Sequence, residues 1–287
     1  MNTETTELSI ESEAIARMLA SLIDSKLIDV PMLPEVANKA LILSQDPESD
    51  ASAMAKLVQS EQSLAGHVMR IANSVAYTPL TNLVSLQQAV ARLGMGIISE
   101  IALSASIGAK LFKTPGYEQH IAAQWQHALA TGLWAKEVAR QTRSNVEVAF
   151  LAGLLHSIGR PASLQTILNL AKQQNVSLSH DEILALEDRY QHQTSSMVAN
   201  NWEMPTLVIA AIEHYPDYAD APTAARQAAQ VSAAIRYATH MLTPEQLDRD
   251  TLLALPVLAA LNIYQDEAEK LLDKSEAVAE KLKELAS

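Results

Sequence analysis

The sequence predicts an all-α protein, and three observations carry that prediction. Apolar residues recur at three- and four-residue intervals through most of the chain, the spacing of one face of a helix. Glycine is scarce, with 8 in 287 residues, and the alternating Val/Ile/Thr/Tyr runs between turn clusters that mark strands do not occur. Helix-start signals recur instead, among them Asp50, Ser60, Ser85 and Thr243 ahead of periodic segments.

In chain order, residues 8–25 read as a first helix with Ile15, Met18, Leu19, Leu22 and Ile23 on one face. Pro31 and Pro34 end it. A second helix over 35–44 stops near Asp46 and Pro47. Asp50 caps a helix over 51–59, and Ser60 caps another over 61–73. Residues 74–84, with Pro79, form a loop. Ser85 opens the next helix with Gln88 as its capping-box partner, and Gly94 stops it. Residues 96–111 are apolar enough to be buried on most sides, and Thr114-Pro115-Gly116 breaks the chain.

Residues 117–141 read as one long helix and 146–156 as a very apolar one. A helix starting at Arg160-Pro161 runs to Gln174. Residues 179–190 and 194–202 give two further helices. The helix after Pro205 carries Ile209, Ile212 and His214, and 221–241 form another. Thr243-Pro244-Glu245-Gln246 combines a capping box with proline at the first helical position. Leu271, Ser275, Val278, Leu282 and Leu285 make a short heptad-like stripe. It reads as a helix docked on the domain, with a dimer helix as the alternative. The division expected is an N-terminal helix (1–25), a central helical domain (26–220) and C-terminal helices (221–287) packed on it.

Composition narrows the function classes. The 33 acidic residues against 21 basic ones give a net charge of −12, which opposes non-specific attraction to nucleic acid or anionic lipid. No cysteine is present, so disulfides, thiolate metal sites and a cysteine nucleophile are excluded. No apolar run approaches the ~20 residues that span a bilayer. There is no secretory leader pattern and no Gly-rich phosphate loop. The expectation is a cytoplasmic protein without membrane or direct nucleic-acid partners.

The informative run is Phe-Leu-Ala-Gly-Leu-Leu-His-Ser-Ile-Gly at 150–159. An apolar helix that ends in His156 must find partners for the ring, because a buried imidazole without them costs free energy. A lone histidine of this kind is more often a satisfied core residue than a ligand. His127, His192 and His214 lie on other helices with apolar faces, and a helical bundle can gather such residues in its core. His180-Asp181 follows Ser179 at a helix start, where Asp181 acts as first-turn charge. His67, His120 and His240 read as ordinary surface or packing residues.

Leu154-Leu155-His156-Ser157-Ile158-Gly159 resembles the Leu-Leu-His-Asp-Ile-Gly signature of HD-superfamily metal-dependent phosphohydrolases. Pro34-Glu35-Val36, Asn73-Ser74-Val75-Ala76-Tyr77, Ala89-Val90 through Leu93-Gly94, Trp202-Glu203-Met204-Pro205 and Ala211-Ile212-Glu213-His214 resemble, in order, the HD-related output domain (HDOD) family. The resemblance spans 25–218 and implies an HD-like multi-helix bundle with extra N- and C-terminal helices. It places His127 and His156 at ligand positions. Ser157 stands where the family-naming aspartate would be. The next family histidine falls on Gln191, with His192 one residue late, a rotation of about 100° on a helix. His214 matches the later histidine, and the last aspartate falls near Ala234-Ile235, where there is no carboxylate.

Hard divalent cations want anionic oxygen ligands, and a metal pair needs them to generate hydroxide. The residual pocket of His127, His156, Ser157, Gln191, His192 and His214 therefore carries no expected catalytic residue, cofactor or metal. If a metal is held, His127, His156 and His214 would hold zinc or another divalent ion. The resemblance implies a bacterial-type signal-transduction module that acts through unidentified signalling proteins without hydrolysis. The alternative is a metal-dependent phosphohydrolase acting on nucleotides or cyclic dinucleotides at a remodelled site. A nucleotide or small anionic ligand in the pocket, and a homodimer, are further expectations.

Overall fold

The computed structural model describes residues 9–77, 83–108 and 111–286. Among these residues there are sixteen α-helices, one short 3-10 turn and no strand. The first helix, α1 (Ile10–Asp24), begins where the Ser9 hydroxyl accepts from the Ser12 amide. Leu8, the expected first residue, lies outside the described residues, as do Pro79 in the expected loop and residues 109–110 near the end of the expected helix 96–111.

An N-terminal layer follows, formed by α2 (Glu35–Gln45), α3 (Ala51–Gln59), α4 (Gln62–Ala72), α5 (Leu86–Leu93) and α6 (Met95–Ile107). Asp50 caps α3 through the Ala53 amide, and Ser85 caps α5 through the Gln88 amide. Ser60 does not cap α4. It closes α3, with its hydroxyl donating to the Leu57 carbonyl, so it is not available to the next helix. Helix α6 has Ile98, Ile101, Leu103 and Ile107 buried, as its near-continuous apolar sequence requires. Among the described residues no single helix is long and apolar enough to cross a membrane, and α5 and α6 are bent by 111° where they meet.

The centre is a helical hairpin of α7 (Glu118–Gln141) and α8 (Val146–Leu155). It packs closely because Gly153 has no side chain: a Cβ there would lie 2.9 Å from the Gly132 Cα and 2.9 Å from the Thr131 carbonyl. Trp134 of α7 is fully buried, and its ring lies 4.9 Å from that of Tyr237. Tyr237 belongs to α12 (Ala225–Leu242), which packs along α7.

Helix α9 (Gly159–Gln174) lies against α10 (His180–Asn201). Two helices were expected over the second span, and one continuous helix is found. The polar residues at the expected break bond back into their own helix: Thr194 Oγ1 donates to the Tyr190 carbonyl at 2.9 Å and Ser195 Oγ to the Gln191 carbonyl at 2.9 Å. Both hydroxyls also serve α9, accepting from the Ser163 hydroxyl at 2.8 Å and the Gly159 amide at 2.9 Å. Polar residues that read as a linker are therefore an internal seam. Helix α1 is tied to α10 by the Ser9 amide on Glu182 at 3.1 Å and by Arg189 on Glu13 at 3.3 Å.

After α11 (Thr206–His214) the chain makes a 3-10 turn, Tyr218–Asp220, and α12 starts four residues later than expected, at Ala225. The Thr243 capping box does not form. The Thr243 hydroxyl donates to the Thr239 carbonyl at 3.0 Å as part of the end of α12, and the segment is a turn. The next helix, α13 (Arg249–Leu253), is capped by Asp248 instead. Short helices α14 (Pro256–Ala260) and α15 (Gln265–Leu272) lead to α16 (Ser275–Ala286). Val278, Leu282 and Leu285 of the heptad-like stripe are buried, and α16 packs on α7 and α6 of its own chain.

Candidate functional site

The site is built where α7, α8, α10, α11 and α12 converge. Helix α8 ends at His156, which is 4% exposed. Its Nδ1 donates to the Gly153 carbonyl at 2.7 Å, because a carbonyl can only accept. That bond fixes the tautomer and leaves Nε2 bare. Burial, reinforced by His127, pushes its pKa down to about 3, so the ring is neutral at physiological pH.

His127 on α7 lies 6.1 Å from His156, ring centre to ring centre. Its Nε2 is 3.0 Å from the Thr239 hydroxyl on α12. That hydroxyl spends its proton on the Ile235 carbonyl at 2.9 Å, so the histidine is the donor. Burial and then the Arg160 charge lower the His127 pKa. The bond fills the neighbourhood of Ala234-Ile235, where the sequence comparison looks for a carboxylate and finds none.

His192 on α10 donates from Nε2 to the Ile212 carbonyl of α11 at 3.0 Å. Between His192 and His156 stands Tyr215, edge-on to both at 5.3 Å and 5.6 Å. Sequence reasoning missed Tyr215. Its neighbour His214 was singled out instead, yet His214 is half-buried at the end of α11, and among the described residues its side chain has no hydrogen bond, ion pair or ring contact. One residue of helical rotation separates the two outcomes. Gln191 lies beside the Tyr215 hydroxyl, and its buried Oε1 has no hydrogen-bond partner among the described residues.

Ser157 is 8% exposed. It lines a narrow cleft with Phe112, Ile121, Trp125, Leu154 and Pro161. An ionised carboxylate at this position would face apolar walls. Among the described residues, no group of three or more His, Asp or Glu side chains is placed to hold a metal ion. His127, His156 and His214 do not converge, and each of the three clustered histidines commits one nitrogen to a protein acceptor.

A second feature missed in the sequence is Glu187, which is fully buried on α10. Its carboxylate takes His120 at 2.7 Å and Arg160 at 3.4 Å, and Arg160 also reaches Asp188 at 2.8 Å. His120 is thus a specific partner rather than a surface residue. Arg160, the one cation beside the motif in sequence, is already compensated. No sequence signal marks Glu187, which sits in a charged run that reads as a solvated face. His180 stacks on Tyr117 at 5.1 Å, and a Ser179–Glu182 capping box opens its helix.

A family model for the HDOD domain matches residues 30–218. The chain belongs to the HDOD family. Its fold is also that of a candidate metal-dependent phosphohydrolase from Shewanella amazonensis SB2B, with a TM-score of 0.72 at 17% identity over 96% of this chain and 100% of that one. An HDOD domain protein of unknown function from Geobacter sulfurreducens aligns with a TM-score of 0.67 at 22% identity, over 96% and 99% of the two chains. An uncharacterized protein of Treponema pallidum is 22% identical over 75% of this chain, and the chain spans 43% of that protein's length. The HDOD match runs from Val30, just before the Pro31–Pro34 segment, to Tyr218, where the 3-10 turn after α11 begins. Several of its motifs have structural work here. Trp202 donates its indole N–H to the Pro31 carbonyl at 2.9 Å, tying the end of α10 to the segment that opens the family region. Asn73 accepts from the Leu83 amide at 2.6 Å and donates to the Leu83 carbonyl at 3.0 Å, pinning the far side of the following loop.

Proposed function

We propose that this HDOD protein is a regulatory module that acts through protein partners and does not hydrolyse phosphate esters. The observation that carries the reading is the state of the histidines. Each of His127, His156 and His192 is hydrogen-bonded to an internal acceptor, with a tyrosine wedged between two of them. A metal pair needs several converging donors and anionic charge to generate hydroxide. Ser157 and Gln191 supply neither charge nor strong ligation. The rings then serve as packing inside the helical bundle, and signalling falls to the protein's surfaces.

The alternative is a phosphohydrolase with a remodelled site, favoured by the 6.1 Å approach of His127 to His156. Metal analysis of the purified protein, paired with a phosphodiesterase assay in Mn²⁺, separates the two. The regulatory reading expects neither bound metal nor turnover. Stoichiometric metal with turnover that disappears in His156→Ala overturns it.

A further inference from the structure

A second cavity, which none of the histidines lines, opens between the 73–77 turn, α5, α7 and α16. Its wall includes Tyr77, Arg92, Lys136, Glu137, Arg140 and Lys281. Four of these are cations, on a chain whose net charge is −12. We propose that this cavity binds a small organic molecule through its phosphate group.

The charge balance inside the cavity is the argument. Lys136 is 7% exposed and is neutralised by Glu100, whose two oxygens lie 2.6 Å from its Nζ. Glu137 pairs with Arg140 and also takes Lys274 at 2.7 Å. That consumes the carboxylates. Among the described residues the side chains of Arg92, which is exposed, and of Lys281, which is half-buried, have no hydrogen bond or ion pair. Burial lowers the Lys281 pKa, Arg140 and Lys136 lower it further, and Glu137 offsets this in part. The main anion acting on the Lys281 ammonium, Glu137, is shared with Arg140 and Lys274. A cleft lined by charge of one sign focuses its field on a ligand of the opposite sign.

The donor set fits phosphate. Arg92 and Arg140 offer forked N–H pairs, and Lys281 offers a point charge. The Tyr77 hydroxyl, its pKa pushed up by burial and by Glu100, stays protonated and can donate. Leu93, Ile97, Leu133 and Val278 supply an apolar wall for the carbon part of the ligand. Such a ligand bridges α5 and α7 to α16, so its binding would tighten the C-terminal helix on the domain.

Pyrophosphate is the minimal probe. Isothermal titration of the full chain should show one saturable site with Kd below about 1 mM. Lys281→Gln and Arg92→Gln should each weaken it about tenfold, and Lys39→Gln, at an exposed position of α2 that does not line the cavity, should leave it unchanged. Hydrogen exchange should slow in α16 when pyrophosphate is bound and not in the double variant. Absence of saturable binding to the wild-type chain, or binding undiminished in a folded Lys281→Gln/Arg92→Gln protein, overturns the proposal.

Discussion

At the scale of single residues, Gly159 shows how little room the motif leaves. A Cβ at this position would fall 2.0 Å from the Gln191 carbonyl and 2.4 Å from the Ser195 amide, both backbone atoms of α10 that cannot swing aside. Gly159→Ala should therefore destabilise the fold by at least 1–3 kcal/mol, on the order of an overpacked core, read as a lowered denaturant midpoint. Ser157→Asp is a second expectation. Restoring the family-naming aspartate should yield no turnover, because Gln191 and the α12 position still lack ligands, and a carboxylate facing Phe112, Trp125 and Leu154 should cost roughly 1–3 kcal/mol. A Ser157→Asp protein that binds Mn²⁺ and cleaves a phosphodiester would contradict this.

At the scale of elements, the sequence marked most helices through caps and periodicity, and it failed where a hydroxyl had two candidate jobs. Ser60, Thr194 and Thr243 each read as a start or a break. In the structure each hydroxyl bonds back to the carbonyl three or four residues earlier. Local sequence does not say which way a hydroxyl turns, because tertiary packing decides it. The site followed the same pattern. His127 and His156 were legible as neighbours through the family motif. Tyr215 and Glu187 were not, since placing Tyr215 rather than His214 toward the pocket depends on how α11 rotates against α10. Helix α16 was legible as a docked stripe, and its expectation is quantitative. Leu282 is 4% exposed, so Leu282→Ala should cost about 2–5 kcal/mol in thermal unfolding of the whole chain. A much smaller loss would mean that α16 contributes little to the cooperative unit.

At the scale of the molecule, the buried histidines couple stability to pH. The His156 pKa is about 3 in the folded chain and near 6.5 when unfolded. Above pH 6.5 both states hold the ring neutral and its full packing contribution is present. As pH falls below 6.5 the unfolded state takes up a proton that the folded state refuses, so stability drops, by roughly 3 kcal/mol at pH 4. His127, lowered for the same main reason, adds in the same direction. Denaturant titrations across pH 4–7 measure the slope, and His156→Gln should flatten it.

A regulatory module without hydrolysis requires the His156 and His127 rings to be neutral, internally bonded packing rather than empty ligand positions. Long-range ¹H–¹⁵N NMR of the imidazoles reads that state directly, before and after Zn²⁺ is added. The expected spectra show the Nδ1–H tautomer for His156 and the Nε2–H tautomer for His127, unchanged at one equivalent of metal. A bare-nitrogen resonance of His156 or His127 that shifts to a metal-bound value at that ratio would contradict it.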